Sequence, residues 1–111
     1  MTGSAIRKFW GWGVEGEGPG PEQQAGILRL LAARFGAADL RLAPEPRIAD
    51  VHLPSPRCQP PASLAALCDE SPLVRAGHHY GKSSRDVVRG ARGEFPSPPD
   101  FVAYPRDEAD I

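Results

Sequence analysis

The chain has 111 residues, among them 12 Gly and 13 Pro, and a formal net charge of −1. A balance this close to neutral gives no electrostatic drive toward nucleic acid or an anionic membrane, so we expect neither as a partner. The longest apolar run is far below the roughly 20 residues of a membrane-spanning helix, and no signal peptide is apparent, which predicts a cytoplasmic chain without a transmembrane segment. Abundant Gly and Pro leave room for few regular elements and a small core.

Three aromatic residues stand near the start of the chain, Phe9, Trp10 and Trp12, and a Gly/Pro-rich run over residues 14–21 follows them. Aromatic rings contribute most to stability when their large apolar faces are buried. We therefore expect all three rings to pack against a neighbouring element, an interpretation that we favour over the stacking of a ligand.

The clearest helix signal lies between Pro21 and Gly36. Proline suits a first turn, Glu22 complements the positive helix N-terminus, and glycine is the usual residue at a helix end. One face collects apolar residues at helical spacing, which are Ile27, Leu28, Leu30, Leu31 and Phe35. The pattern predicts a surface helix over residues 22–35 with one buried side, which needs something to pack against.

A proline-rich connector spans residues 43–61, where six prolines remove amide donors and fix φ too often for a regular element. Its apolar residues Ile48, Val51 and Leu53 are suited to lie extended along the surface of another domain. The sequence therefore predicts a connector that bridges parts of a larger protein.

A short helix is predicted over residues 63–68, because Leu64, Leu67 and Cys68 recur at helical spacing, and Pro72 is expected to stop it. Without a disulfide-dense pattern, Cys58 and Cys68 are expected to remain thiols in a cytosolic chain.

Two further elements are predicted near the end of the chain. Residues 85–92 have helical spacing behind a Ser84 cap, and residues 101–104 form a buried strand. Residues 105–108 then form a turn with a helix cap. A strand followed by the start of a helix begins a βα unit, which cannot cover its own faces, so the rest of a sheet is expected outside this chain.

Residues 76–83 fit the phosphate-loop spelling loosely, with Ala76 in place of its first glycine. The mechanism of such a loop requires a buried feeding strand and a second strand that ends in Asp, and neither is apparent, so we reject this interpretation. A metal site at His78 and His79 is rejected as well, because sequence neighbours point apart and His52 lies in the connector. No catalytic or metal-binding residue is predicted.

Two stretches together resemble the alkyldihydroxyacetonephosphate synthase branch of the FAD-linked oxidases, which are flavoproteins of the vanillyl-alcohol oxidase type. The first is a basic, Trp-Gly-rich opening, Lys8-Phe9-Trp10-Gly11-Trp12-Gly13. The second is a longer discontinuous pattern, made of Val74-Arg75-Ala76, Gly81-Lys82-Ser83, Asp86-Val87-Val88, Arg92-Gly93-Glu94-Phe95 and Pro99-Asp100-Phe101-Val102-Ala103-Tyr104-Pro105-Arg106. Relatives often carry His where this chain has Tyr80.

The resemblance implies an α+β fold of mostly short helices and irregular Pro/Gly-rich segments, ending in the first strand of a truncated FAD-binding domain. Residues 1–97 would form an N-terminal cap segment, and residues 98–111 would begin the flavin domain. The parent enzyme would bind FAD and act on a hydroxy acid or a glycerone-phosphate ether-lipid precursor. Its remaining FAD-binding and substrate domains would be the partners of this segment.

Among the residues present, the resemblance carries over only Pro105, in the turn after the strand, as a cofactor-binding residue. The glycine-rich pyrophosphate loop and the catalytic residues would lie beyond Ile111. The chain by itself is therefore expected to be inactive and not to hold FAD.

A different class of function stays open at this point. In it the chain is a small stand-alone interaction protein, partly disordered, that docks through its aromatic N-terminus and its proline-rich connector and becomes ordered on binding.

Overall fold

The computed structural model describes residues 4–111, so the first three residues of the predicted cap segment lie outside the described part. Residues 4–111 form three α-helices, three short 3-10 helices and a two-stranded sheet. In chain order they are α1 (Pro21–Phe35), a 3-10 helix (Ile48–Asp50), a second (Ala65–Leu67), β1 (Cys68–Asp69), α2 (Pro72–Gly77), α3 (Ser84–Ala91), β2 (Val102–Ala103) and a third 3-10 helix (Glu108–Asp110). This is the small mixed helix-and-sheet composition that was predicted. No helix within residues 4–111 is long and apolar enough to cross a membrane.

The chain is extended for its length. Its radius of gyration is 18.0 Å, whereas a compact domain of this length has about 13 Å. The accessible surface is 8652 Å², against roughly 5900 Å² for a compact monomer of the same mass. Much surface that a self-contained domain would bury is therefore exposed.

The core is a small cluster that we call the hub, formed by Phe9, Ala76 and Phe95, which are 5%, 1% and 3% exposed. The ring centroids of Phe9 and Phe95 lie 5.7 Å apart. Partly buried apolar side chains surround these three residues, namely Trp10, Ile48, Val51, Leu53, Leu73 and Tyr80. The hub thus joins the start of the chain, the connector and the segment after α3.

Helix α1 forms where the sequence predicts it, and both of its ends have local causes. The Gln23 side chain accepts the Gly20 amide at 3.1 Å, and Gly36 adopts φ 64° and donates its amide to the Ala32 carbonyl. The prediction of a buried side is wrong for the described residues, because α1 contains no buried residue.

The connector is irregular as predicted, apart from the 3-10 helix Ile48–Asp50. The prediction that its apolar residues lie on another domain is not met. Ile48, Val51 and Leu53 pack against the hub of this same chain, where they are half-buried.

The prediction of a helix over residues 63–68 is wrong at its end. Only Ala65–Leu67 is helical, and Cys68 enters β1, where it pairs antiparallel with Ala103. Pro72 begins a helix, since proline suits a first turn and the Ser71 hydroxyl accepts the Val74 amide at 3.4 Å.

Helix α3 forms as predicted, with its cap one residue earlier than expected. Ser83 Oγ accepts the Asp86 amide at 3.3 Å, and Asp86 Oδ2 accepts the Ser83 amide at 3.2 Å. This reciprocal pair satisfies two amides that a helix N-terminus leaves free. On its buried side Gly90 lies against the backbone of Trp10.

The predicted burial of the three aromatic residues near the N-terminus is confirmed only in part. Residues around Phe9 form a hairpin, in which Lys8 donates its amide to Gly13 at 3.0 Å and Glu15 donates its amide to Ile6 at 2.8 Å. Phe9 is buried, but Trp12 is 71% exposed, which corrects the expected burial of all three rings.

The predicted strand near the end of the chain exists over Val102–Ala103 and pairs only with β1 among the described residues. It is not buried as predicted, since Ala103 and Tyr104 are exposed. Two paired residues per strand cannot cover the faces of this sheet.

Candidate functional site

The predicted cofactor contact, Pro105, is exposed and lies two residues after the end of β2. A tight turn closes behind it. Asp110 Oδ2 accepts the backbone amide of Arg106 at 2.9 Å and its Nε at 3.0 Å, and Oδ1 accepts Nη2 at 3.3 Å. The Asp107 carboxylate accepts the Ala109 amide at 2.9 Å and caps the last 3-10 helix. The turn therefore holds its shape through hydrogen bonds of its own.

This Pro105 turn does not fit the pyrophosphate of FAD. Such a group needs free backbone amides, yet the amides of Arg106, Ala109, Asp110 and Ile111 all have acceptors within the turn. The guanidinium of Arg106 lowers the pKa of Asp110, and the two side chains form an ion pair without net charge to attract a phosphate. Four amides of the turn are therefore not available to a pyrophosphate.

The most buried charged side chain is Arg75 on α2, which is 4% exposed. Its Nε donates to the Pro99 carbonyl at 2.9 Å, and its Nη2 donates to the Pro54 carbonyl at 2.8 Å. A cavity of about 130 Å³ lies beside it, with Arg57 and Asp100 also in its wall. Arg75 thus joins the connector to the segment that leads into β2.

Asp100 forms a second tie between the same two segments. One carboxylate oxygen accepts the Arg57 amide at 2.9 Å, and the other accepts the Cys58 thiol at 3.4 Å. The Arg57 amide is the main cause that lowers the pKa of Asp100, while the bond to Asp100 raises the pKa of the Cys58 thiol. A thiol with a raised pKa is a poorer nucleophile.

The turn at Gly81-Lys82-Ser83 lacks the geometry of a phosphate loop. Leu73 and Val74 lie in α2, so a helix stands where a phosphate loop needs a strand. The Asp86 carboxylate occupies the N-terminus of α3, and the Lys82 carbonyl accepts the Trp12 indole N–H at 2.9 Å. The turn is a docking point for the N-terminal hairpin.

The two adjacent histidines serve different contacts. His79 Nε2 accepts the Ser97 amide at 2.9 Å, and its Nδ1 is buried without a partner. Burial lowers the pKa of His79. His78 lies on the other side, where its Nδ1 donates to the Val74 carbonyl at 2.8 Å. Across residues 4–111 no three His, Cys, Asp or Glu side chains are grouped to hold a metal ion.

The residues that carry the family resemblance mostly stabilise the fold. Ala76 and Phe95 are in the hub, Arg75 and Asp100 tie the connector to the chain end, and Asp86 caps α3. Sequence reasoning did not single out Arg75, although an arginine between apolar residues in Leu-Val-Arg-Ala was a signal that its side chain is enclosed.

Two solved structures of alkyldihydroxyacetonephosphate synthase, from crystal forms P1 and P212121, are similar to this chain. Their TM-scores are 0.69 and 0.73, with sequence identities of 21% and 22%. Each match covers 95% of this chain and 24% of the synthase chain, so the chain spans about a quarter of the length of these structures. No protein-family profile and no curated protein sequence matches the chain. Over almost its whole length the chain shares the fold of one segment of these synthases, which confirms at the level of fold the resemblance seen in its sequence.

Proposed function

We propose that this chain is the N-terminal cap segment of a cytoplasmic, FAD-linked oxidoreductase-like enzyme similar to alkyldihydroxyacetonephosphate synthase. The observation that carries the proposal is the fold similarity over 95% of this chain and 24% of the synthase chains. In this proposal residues 1–97 cap the enzyme and residues 98–111 begin its FAD-binding domain.

The exposed surface supports a role as part of a larger structure. Strand β2 has one neighbour among the described residues, which is β1. A sheet of two short strands is marginal in water, whereas β2 as the first strand of a flavin domain would gain a second neighbour. The accessible surface, well above that of a compact monomer, fits the same role.

The chemistry of the proposed parent is action on a hydroxy acid or on a glycerone-phosphate ether-lipid precursor, with FAD as the redox group. The residues of this chain hold none of the reacting atoms in this proposal. Pro105 contributes an apolar contact at the edge of the cofactor, since four of the amides behind it already have acceptors. The segment's own task is to pack on the flavin and substrate domains.

The first test is to read the coding DNA that follows the codon of Ile111, in all frames. We expect an apolar strand and a Gly-Gly-Gly-Thr-like loop, the backbone amides of which would bind the pyrophosphate. If neither is encoded there, the stand-alone interaction protein becomes the better explanation.

The second test uses purified proteins. The isolated chain is expected to be colourless, and co-expression with the downstream flavin portion is expected to give a stable yellow complex. An isolated chain that carries stoichiometric flavin would contradict the proposal, because most amides of the Pro105 turn already have acceptors within the turn.

A further inference from the structure

One face of α1 is apolar and open. We call it the α1 face, and it consists of Ile27, Leu30, Leu31 and Phe35, whose exposed fractions are 46%, 71%, 39% and 73%. Two more leucines after the helix, Leu40 and Leu42, are also exposed. A contiguous apolar surface of this kind on a soluble chain usually marks an interaction site.

Helix α1 is only partly packed within this chain, since it has no buried residue and Leu28 is half-buried. A free helix of about 15 residues is marginal in water, and most helical stability in proteins comes from packing of an apolar face. Both ends of α1 are nevertheless capped, by Gln23 and by Gly36. The sequence thus specifies a complete amphipathic helix whose apolar side is unpaired among the described residues.

We infer that the α1 face docks on the remainder of the parent enzyme, an inference that rests on the proposed function. The synthase structures extend well past the matched segment, which is 24% of their length, so about three quarters of that fold lies outside this chain. That remainder is the partner that we assign to the α1 face, because the synthase structures give it a fold and a size.

The area of the exposed surface supports this occupant over a second copy of the chain. The chain exposes about 2700 Å² more than a compact monomer, whereas one side of a standard protein interface buries roughly 800 Å². A dimer through α1 would cover one helix face about 22 Å long, which leaves most of this excess open.

A groove beside the α1 face indicates the kind of surface it meets. Gly18, Pro19 and Gly26 line it together with Ile27 and Leu30, and its volume is about 590 Å³. Small residues at its floor leave room for an apolar side chain that protrudes from the partner. The partner surface is therefore expected to be apolar with a projecting aliphatic or aromatic residue.

The test compares three versions of this chain, each co-expressed with the downstream flavin portion: the unchanged chain, the double variant Leu30→Ala/Phe35→Ala, and the control Arg29→Ala. Alanine preserves helix propensity, and Arg29 is exposed on the opposite side of α1. We expect the double variant to weaken the complex about a hundredfold, or roughly 2.8 kcal/mol, and the control by less than about threefold. The dissociation constant from sedimentation velocity measures both.

The outcomes separate this inference from the proposed function. If the unchanged chain forms no complex, the proposed function fails and this inference with it. If a complex forms and the double variant binds as tightly as the unchanged chain, only the α1 inference fails. Concentration-dependent self-association, or binding to phospholipid vesicles, that is lost in the double variant while the complex is unaffected would also overturn it.

Discussion

The hub is assembled from elements of at most eight residues, whereas α1 has 15 residues and contains no buried side chain. The short elements are joined by contacts between distant residues, such as the bonds from Arg75 to the carbonyls of Pro54 and Pro99. Helix α1 depends instead on strong local signals, such as Pro21 at its start and Gly36 at its end. A long helix with clear sequence signals is therefore not necessarily packed against the rest of the fold.

The largest expected effect comes from removing the hydrogen bonds that Arg75 makes beside the hub. Replacing Arg75→Ala leaves two carbonyls without their donor and removes a buried side chain, so we expect the free energy of unfolding of the hub to fall by about 3 kcal/mol. Denaturant unfolding followed by near-ultraviolet circular dichroism measures it. The control Arg85→Ala, at an exposed position of α3, should change stability by less than about 0.5 kcal/mol. Equal effects of the two variants would show that the contacts of Arg75 do not hold the hub together.

The next effect tests how closely α3 must approach the N-terminal hairpin. A Cβ at Gly90 would lie 2.8 Å from the Trp10 carbonyl oxygen and 3.2 Å from its Cα. Because both atoms belong to the backbone, we expect Gly90→Ala to destabilise the hub by about 2 kcal/mol. Gly18→Ala is the matched control, since a Cβ there meets nothing within 4 Å. A Gly90→Ala chain as stable as the control would place the hairpin away from α3.

A glycine in α1, in contrast to Gly90, should gain stability when it is replaced by alanine. Gly26 lies inside α1, where a Cβ would meet only the end of the Arg29 side chain at 3.8 Å. We expect Gly26→Ala to favour α1 by about 1 kcal/mol, seen as a rise in far-ultraviolet helical signal. Amide exchange in the hub should stay unchanged, because α1 is not packed on it. A parallel gain of protection in the hub would show that the two regions fold together.

The smallest expected effect is a pH dependence of the free energy of unfolding of the hub. Burial lowers the pKa of His79 below its ordinary value of 6.5, so the folded chain keeps a neutral ring whose Nε2 accepts the Ser97 amide. The unfolded chain binds a proton as the pH falls through 6.5, so this stabilisation is complete above that pH and is lost toward the lowered folded value. Nearby Asp86 opposes the shift. The variant His79→Phe should lose this part of the pH dependence, measured by denaturant unfolding; an unchanged profile would show that His79 is not its source.

The sequence predicted those structural features that depend only on neighbouring residues. The ends of α1 follow from Pro21 and Gly36, and α3 follows from its spacing and a serine cap. Cys68 fits a helix by spacing, but the pairing with Ala103 draws it into β1, which is a long-range contact that no spacing shows. A proline can end a helix or occupy its first turn, and the Ser71 cap makes Pro72 a first-turn residue.

The candidate site was less predictable than the helices. Pro105 came from the resemblance alone, and its role with a cofactor stays a prediction. The closed turn behind it depends on the pair Arg106 and Asp110, which is spaced for a helix but acts here in a turn. The enclosure of Arg75 depends on carbonyls that lie more than 20 residues away on either side.

The close contact between Trp10 and Gly90, together with the ring pair of Phe9 and Phe95, has a consequence for synthesis on the ribosome. The partners are 80 and 86 residues apart in a chain of 111, so the hub stays open until Phe95 has left the exit tunnel. Helix α1 needs only neighbouring residues and can form much earlier. Translation that pauses before the codon of Phe95 would leave Phe9 exposed beside an already formed apolar helix face, which is the state in which a nascent chain is most prone to aggregate.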